Sequence, residues 1–185
     1  MATLCYLAAM GGAARTLITP EEYLSMEFDG REPEYVRGEL IYKPMPDFVH
    51  GYIQALLAAL LVTALRPGGY RVLTELRTQL APDNFRLPDV AVFGPGQSVE
   101  LVPTRAPLVA VEIISKDERH SAILEKLEDY EAWGVANIWT VDPIRRRLSV
   151  FSGDTLKHVD AVELPGTAFS ITIDELLKDL PQGLL

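Results

Sequence analysis

The spacing of apolar residues changes period several times along the chain, and each change predicts an element. Thr19-Pro20-Glu21-Glu22 has the form of a capping box with proline at the first helical position, so a short helix should run to about Met26. Residues 34–43 read as strand, Gly38, strand, which is a hairpin or a bulged strand, ended by Pro44 and Pro46. Over 48–65 the chain is apolar almost all round, with Ile53, Leu57, Leu60 and Ala64 in line, and this predicts a deeply packed helix stopped by Pro67-Gly68-Gly69. Residues 70–80 set Arg71, Glu75 and Arg77 among Val72, Leu76 and Leu80, as a half-exposed strand does, and Pro82-Asp83-Asn84 turns the chain back. The runs 86–93 and 108–115 are β-branched and nearly continuously apolar, the pattern of strands covered on both faces. A helix over 116–133 closes at Gly134. Strands at 137–141, 147–151 and 155–164 follow, with Ser152-Gly153-Asp154 as a turn, and Thr172-Ile173-Asp174-Glu175 is a second capping box opening a last short helix. The order helix, three strands, helix, strand predicts an α/β fold with a mixed, mainly antiparallel β-sheet flanked by helices.

Asp89 and Glu112 interrupt the two buried strands. An ionised carboxylate there costs several kcal/mol unless a cation or a donor faces it, so something positive should lie between them. At about 100° per residue, Ile123, Leu127, Tyr130 and Trp133 share one arc of the following helix, and Lys126 falls inside it while Glu125, Glu128 and Asp129 fall outside. Lys126 is thus the mid-helix charge expected to point at the sheet. Two carboxylates on neighbouring strands can share a hard divalent cation such as Mg²⁺ or Mn²⁺, and a nearby amine can orient or deprotonate a bound water. The same residues also read as a structural ion pair between Lys126 and Glu112 with Asp89 as a hydrogen-bonded turn residue, and spacing alone does not separate the two.

Composition narrows the classes. The chain has 185 residues, 48% of them hydrophobic and 23% charged, with a net charge of −9. Those values suit one folded domain over 19–185 behind a flexible extension over 1–18, and the acidic balance weighs against sequence-blind attraction to nucleic acid, which draws on Lys and Arg. Cys5 is the lone cysteine, which excludes intrachain disulfides and cysteine-based zinc fingers and suits a reducing, cytoplasmic setting. The apolar run 55–65 falls short of the ~20 residues of a membrane span, so no membrane partner is expected.

Pro88-Asp89, Val111-Glu112-Ile113-Ile114-Ser115, Lys126-x-x-x-Tyr130-x-x-x-Gly134-Val135 and Ile138-Trp139-Thr140-Val141-Asp142-Pro143, in this order, resemble the Uma2 family of endonucleases, also called DUF820, a branch of the PD-(D/E)XK nuclease superfamily. The likeness runs from about Thr19 to the end of the chain. It implies a restriction-endonuclease-like core and metal-dependent hydrolysis of phosphodiester bonds in DNA, with Asp89 and Glu112 as metal ligands and Lys126 as the third active-site residue. Glu39, in a Gly-Glu pair like that of the family, would assist, with Glu34 close behind; a solvated hairpin carboxylate is the plainer reading of either.

His50 could cap, bind phosphate or assist the metal, against a satisfied half-buried histidine; Gln79 could contact phosphate, against simple solvation. Lys116, at the strand end in phase with Glu112, is a lesser candidate for the catalytic amine. Ala122 and Ser115-Lys116-Asp117 depart from the family pattern, which leaves a catalytically inactive nuclease-fold binding or assembly module as the alternative. Tyr130, Trp133 and Trp139 phase as core rather than as base-stacking groups, and Arg145-Arg146-Arg147 is a solvated turn or a backbone contact. A homodimer would let two symmetric sites cut both strands of a duplex.

Overall fold

The computed structural model describes residues 17–116, 118–181 and 183–185. The expected extension lies outside them as far as residue 16. Helix α1 (Pro20–Ser25) opens with the anticipated capping box: the Thr19 hydroxyl accepts from the Glu22 N–H, and the Glu22 carboxylate accepts from the Thr19 N–H at 2.7 Å. Strands β1 (Glu34–Val36) and β2 (Glu39–Ile41) form a hairpin whose connecting residues, Arg37 and Gly38, both have positive φ, 49° and 91°. That is the turn whose twist matches paired strands. Asp47 caps α2 (Phe48–Leu65) through the His50 N–H at 2.8 Å.

The next strands are β3 (Arg71–Thr74), β4 (Thr78–Ala81), β5 (Asn84–Arg86), β6 (Val90–Phe93) and β7 (Val109–Ile113). Helix α3 (His120–Trp133) leads to β8 (Asn137–Asp142), β9 (Arg147–Ser152), β10 (Thr155–Val159), β11 (Ala161–Glu163), β12 (Ser170–Thr172) and α4 (Ile173–Leu177). A six-stranded sheet has the order β10-β9-β8-β7-β6-β3; its β7–β8 pair, joined across α3, is parallel and the other pairs are antiparallel. A four-stranded antiparallel sheet, β2-β1-β5-β4, stands beside it, and β11 and β12 pair separately. The mixed, mainly antiparallel sheet flanked by helices is thus the observed architecture.

Two expected strands are each divided between the sheets. Residues 70–80 break at Glu75, whose φ is 51°, so β3 pairs in the large sheet and β4 in the small one. Residues 86–93 break at Leu87-Pro88-Asp89: Pro88 has no N–H for a ladder, β5 ends in the small sheet, and β6 begins in the large one at Val90. Asp89 sits on this crossing. The run 155–164 likewise divides, into β10 and β11, and α3 starts at His120 rather than at Lys116.

Helix α2 packs on one face of the large sheet through Val49, Ile53, Leu57, Leu61 and Leu65, against Val90, Val109, Val111 and Trp139. Leu61 and Leu65, not Leu60 and Ala64, continue the buried stripe; Leu60 is half-buried and Ala64 exposed. With the 3₁₀ turn that follows, the 21 residues Phe48–Gly68 are long and apolar enough to cross a bilayer by length and composition, more than the 55–65 run suggests, yet their buried stripe is a wall of this core. Helix α3 covers the opposite face through Ile123, Leu127 and Tyr130, against Ala110, Ile138 and Phe151. Tyr130 and Trp139 are core residues, and Trp133 is half-buried. The small sheet has its own core of Tyr23, Tyr35 and Phe85.

Candidate active site

The crossing at Pro88-Asp89, the middle of β7, the inner arc of α3 and the start of α2 converge between the two sheets, and the charged side chains they carry are buried. Asp89, Glu112 and Lys126 are 1%, 2% and 3% exposed. Each acid has one oxygen fixed by the protein and the other turned to a common point. Asp89 Oδ2 accepts from the Ile113 N–H at 2.7 Å, and Glu112 Oε1 accepts from the Tyr130 hydroxyl at 2.7 Å. Asp89 Oδ1 and Glu112 Oε2 then face the Lys43 ammonium at 3.0 and 3.5 Å.

A positive group does lie between the two carboxylates, but it is Lys43, from the chain just after β2, which also donates to the Leu87 carbonyl at 2.6 Å. Lys126 stands one position behind, 3.1 Å from Glu112 Oε2, 3.4 Å from Glu34 Oε1 and 3.8 Å from Glu118 Oε1.

Of the two hairpin acids, Glu34 enters this cluster. Its Oε1 accepts from the Leu87 N–H at 3.2 Å and its Oε2 from Arg86 Nη1 at 3.0 Å, while Arg86 also binds Asp129 on α3 at 2.6 Å. Glu39 pairs with Val36 at the turn end of the hairpin and is half-buried. His50 is buried rather than half-buried. Its Nδ1 meets the Ser115 hydroxyl at 3.3 Å, and its Nε2 lies 3.6 Å from Asp89 Oδ1 with no hydrogen-bond partner. Gln79 is half-buried in β4, away from the acids, with its N–H on the Pro103 carbonyl at 2.9 Å. Lys116 is exposed in the turn after β7, and its side chain has no part in the cluster.

Sequence reasoning missed Lys43, Arg31, Gln54 and Glu75. Arg31 binds the Glu75 carboxylate at 2.6 Å and reaches Asp89 Oδ1 at 3.4 Å; Gln54 donates to Glu75 at 3.0 Å and to the Asp89 carbonyl at 2.9 Å. Lys43, between a hairpin and Pro44, had the pattern of a solvated strand end. The one available signal was the requirement for a cation between the acids.

Burial sets the electrostatics. It alone would raise the Asp89 carboxyl, but Lys43 first and His50 next hold it well below the usual carboxylate range. Glu112 goes the other way: burial pushes it up to about 7 against the pull of Lys126 and Lys43, and the neighbouring Asp89 and Glu34 charges add to the rise. Burial works against the Lys43 ammonium, yet Glu112, Asp89 and Glu34 together keep it charged well above the ordinary lysine range. The Glu34 carboxyl is lowered, its burial outweighed by Lys126, Lys43 and Arg86. The Tyr130 hydroxyl, buried beside Glu112, is raised and stays a donor.

The donor set fits a divalent cation. His50, Glu75 and Asp89 each bring a ligand atom within 4.8 Å of the other two, and the orphaned His50 Nε2 lies 3.6 Å from Asp89 Oδ1. Carboxylate oxygens are ligands that Mn²⁺ and Mg²⁺ accept, and an imidazole beside them favours the transition metal of the two, Mn²⁺. The crevice bounded by Arg31, Lys43, His50, Asp89, Glu112 and Glu118 has a free volume of about 10 Å³, room for about one water.

With an acid at the crossing into β6, an acid on the adjoining β7 and a lysine from the helix that packs on them, the fold is restriction-endonuclease-like. A family model described as "Putative restriction endonuclease", Uma2, matches residues 20–174, and the chain belongs to that family. A crystal structure of "a putative nuclease belonging to DUF820" from Anabaena variabilis ATCC 29413 is similar in fold, with a TM-score of 0.77 at 24% identity over 87% of this chain and 98% of that one. No curated protein matches.

Proposed function

We propose that this chain is a divalent-metal-dependent endonuclease that hydrolyses phosphodiester bonds in DNA. Membership of a family described as restriction endonucleases supports nuclease activity. The observation that carries the finer reading is that the unfixed oxygens of Asp89 and Glu112 meet at one point, 3.0 and 3.5 Å from an ammonium standing where a cation would go. Asp89 with His50 and Glu75, and Glu112 from the other side, would hold the ion. A bound divalent cation lowers the pKa of a coordinated water and neutralises charge building on the phosphodiester.

The chain's own groups supply the rest. Tyr130 and the Ile113 N–H fix the two acids so that one oxygen of each stays aimed into the crevice. Lys126, held between Glu112 and Glu34, orients the attacking water by donating to its oxygen. Arg31, which borders the crevice, answers phosphate charge in an otherwise acidic chain.

Incubation with supercoiled and single-stranded DNA in Mn²⁺ tests this reading. Wild type should cut and Lys126→Ala should not; equal trace cutting by both would reject it.

A second reading has its own support. Because Lys43 already answers both acids, the cluster is self-sufficient as a structural network of a nuclease-fold binding or assembly module. Calorimetry with Mn²⁺ separates the two: binding that is lost in Asp89→Ala supports the enzyme, and no heat supports the module.

A further inference from the structure

Strand register places Glu112, Thr140, Ser149 and His158 opposite one another on β7, β8, β9 and β10. One face of the large sheet therefore carries a polar row that starts at a candidate catalytic acid and ends on the edge strand. At about 4.8 Å between strands the row is about 14 Å long. The adjoining row, Ala110, Ile138, Phe151 and Leu156, is apolar throughout. Above the polar row, at the start of α3, lies a groove of about 360 Å³ walled by Ile123 and Leu156, floored by Thr140 and Ser149, and rimmed by Arg147 and His158. Glu118 borders both this groove and the catalytic crevice.

The groove is built to hydrogen-bond something. Thr140 lines the groove, and its hydroxyl, which makes no hydrogen bond among the described residues and is not one of their sealed-off polar atoms, is open to a partner in the groove. The Ser149 hydroxyl meets His158 Nδ1 at 2.9 Å, and Arg147 lies 3.3 Å from His158 Nε2. Arginine can only donate, so with a neutral ring Nε2 accepts and Nδ1 carries the proton toward Ser149. The Ser149 hydroxyl hydrogen is then free to point at the floor beside Thr140. Of the two acids here, Asp142 is already answered by the Arg145 N–H at 2.8 Å and its guanidinium at 3.0 Å, and Glu118 faces Lys126 at 3.8 Å.

We infer that this groove is a nucleotide subsite. It takes one nucleotide unit of the strand next to the bond being cut, with the base or sugar between Ile123 and Leu156, its polar edge on Thr140 and Ser149, and its phosphate toward Arg147. The volume lies within the range of small-molecule sites, and apolar walls with a few placed polar groups are their usual make-up. The inference rests on the nuclease reading for the identity of its ligand, but not on turnover.

The test is anisotropy of a fluorescently labelled single-stranded hexadeoxynucleotide titrated with the full chain in EDTA, where cleavage plays no part. Wild type should bind, a deoxynucleoside monophosphate should compete at least ten times better than inorganic phosphate, and Thr140→Val should weaken binding about 5–10-fold without lowering the melting temperature. His158→Ala should weaken it similarly, and Arg147→Ser, an exposed change that spares the core, should do so even if the others fold poorly. Undiminished affinity in folded Thr140→Val and Arg147→Ser, or no binding by wild type, overturns the subsite. Binding that depends on Thr140 in a protein that never cuts DNA would keep the subsite and remove only the catalytic reading.

Discussion

Replacing Lys43 with methionine keeps the aliphatic stem and deletes the charge between the two acids. In the intact protein the ammonium contacts the Leu87 carbonyl, Asp89, Glu112 and Glu34 at 2.6, 3.0, 3.5 and 3.8 Å. Removing one partner of a buried ion cluster costs about 3–5 kcal/mol. Arg31 at 3.4 Å from Asp89 and Lys126 at 3.1 Å from Glu112 remain, so the lower end, about 3 kcal/mol, is expected. For a chain of this length that is a fall in Tm of about 6–12 °C. The variant should then respond to metal more than the parent does. A cation at 100 times its Kd contributes about 2.7 kcal/mol, enough to restore most of the loss, whereas in wild type the ion must first displace Lys43 and the gain is smaller. Circular-dichroism melts in EDTA, Mg²⁺ and Mn²⁺ read both effects. A Lys43→Met protein melting within about 2 °C of wild type in EDTA, or equal metal-induced rises in both proteins, would refute the idea that this ammonium stands in the cation's place.

Three other changes test separate parts of the fold. Arg86→Met strips Glu34 and Asp129 of their shared partner and should cost about 3 kcal/mol, a fall of about 1–1.5 M in the urea midpoint at an unchanged slope. Tyr130→Phe leaves the buried Glu112 Oε1 without its donor; equilibrium unfolding should show a loss of about 1–3 kcal/mol, in contrast to a surface Tyr42→Phe control. Gly38→Ala combines φ +91° with a Cβ only 2.8 Å from that of Leu17, so it should lower the melting temperature by several degrees, as a loss above about 1 kcal/mol does.

Local rules carried the sequence reading where the physics is local. The capping boxes at Thr19 and Thr172 depend on residues three apart, and both form as expected. Helical phase alone turned Lys126 inward, and it is buried. Phase could not place the hairpin acids relative to the cluster: cross-strand pairing puts Glu34 and Glu39 on one face of the β1–β2 ladder, and that Glu34, at the end away from the turn, lies 3.4 Å from Lys126 is decided by how the hairpin docks. The division of two strands between sheets was hidden for a related reason. Periodicity runs smoothly through Leu76 and Leu80, and only the positive φ at Glu75, unusual for a glutamate, ends the first segment. Lys43, Arg31 and Glu75 lie in turns or at strand ends, where charged residues are normally wet, and tertiary packing rather than local preference draws them in, leaving the Lys43 side chain 8% exposed and the other two half-buried.

The chemistry is divided along the chain as well as between sheets. Lys43 meets Glu112 across 69 residues, and Glu34 reaches Lys126 from still farther away. Contacts of such long range form late, because chain closure must come before they can reward it. A nascent or half-folded molecule therefore lacks the assembled cluster: on the ribosome it cannot exist until α3 has emerged and docked, so whatever cutting the proposed function brings is deferred to the last steps of folding.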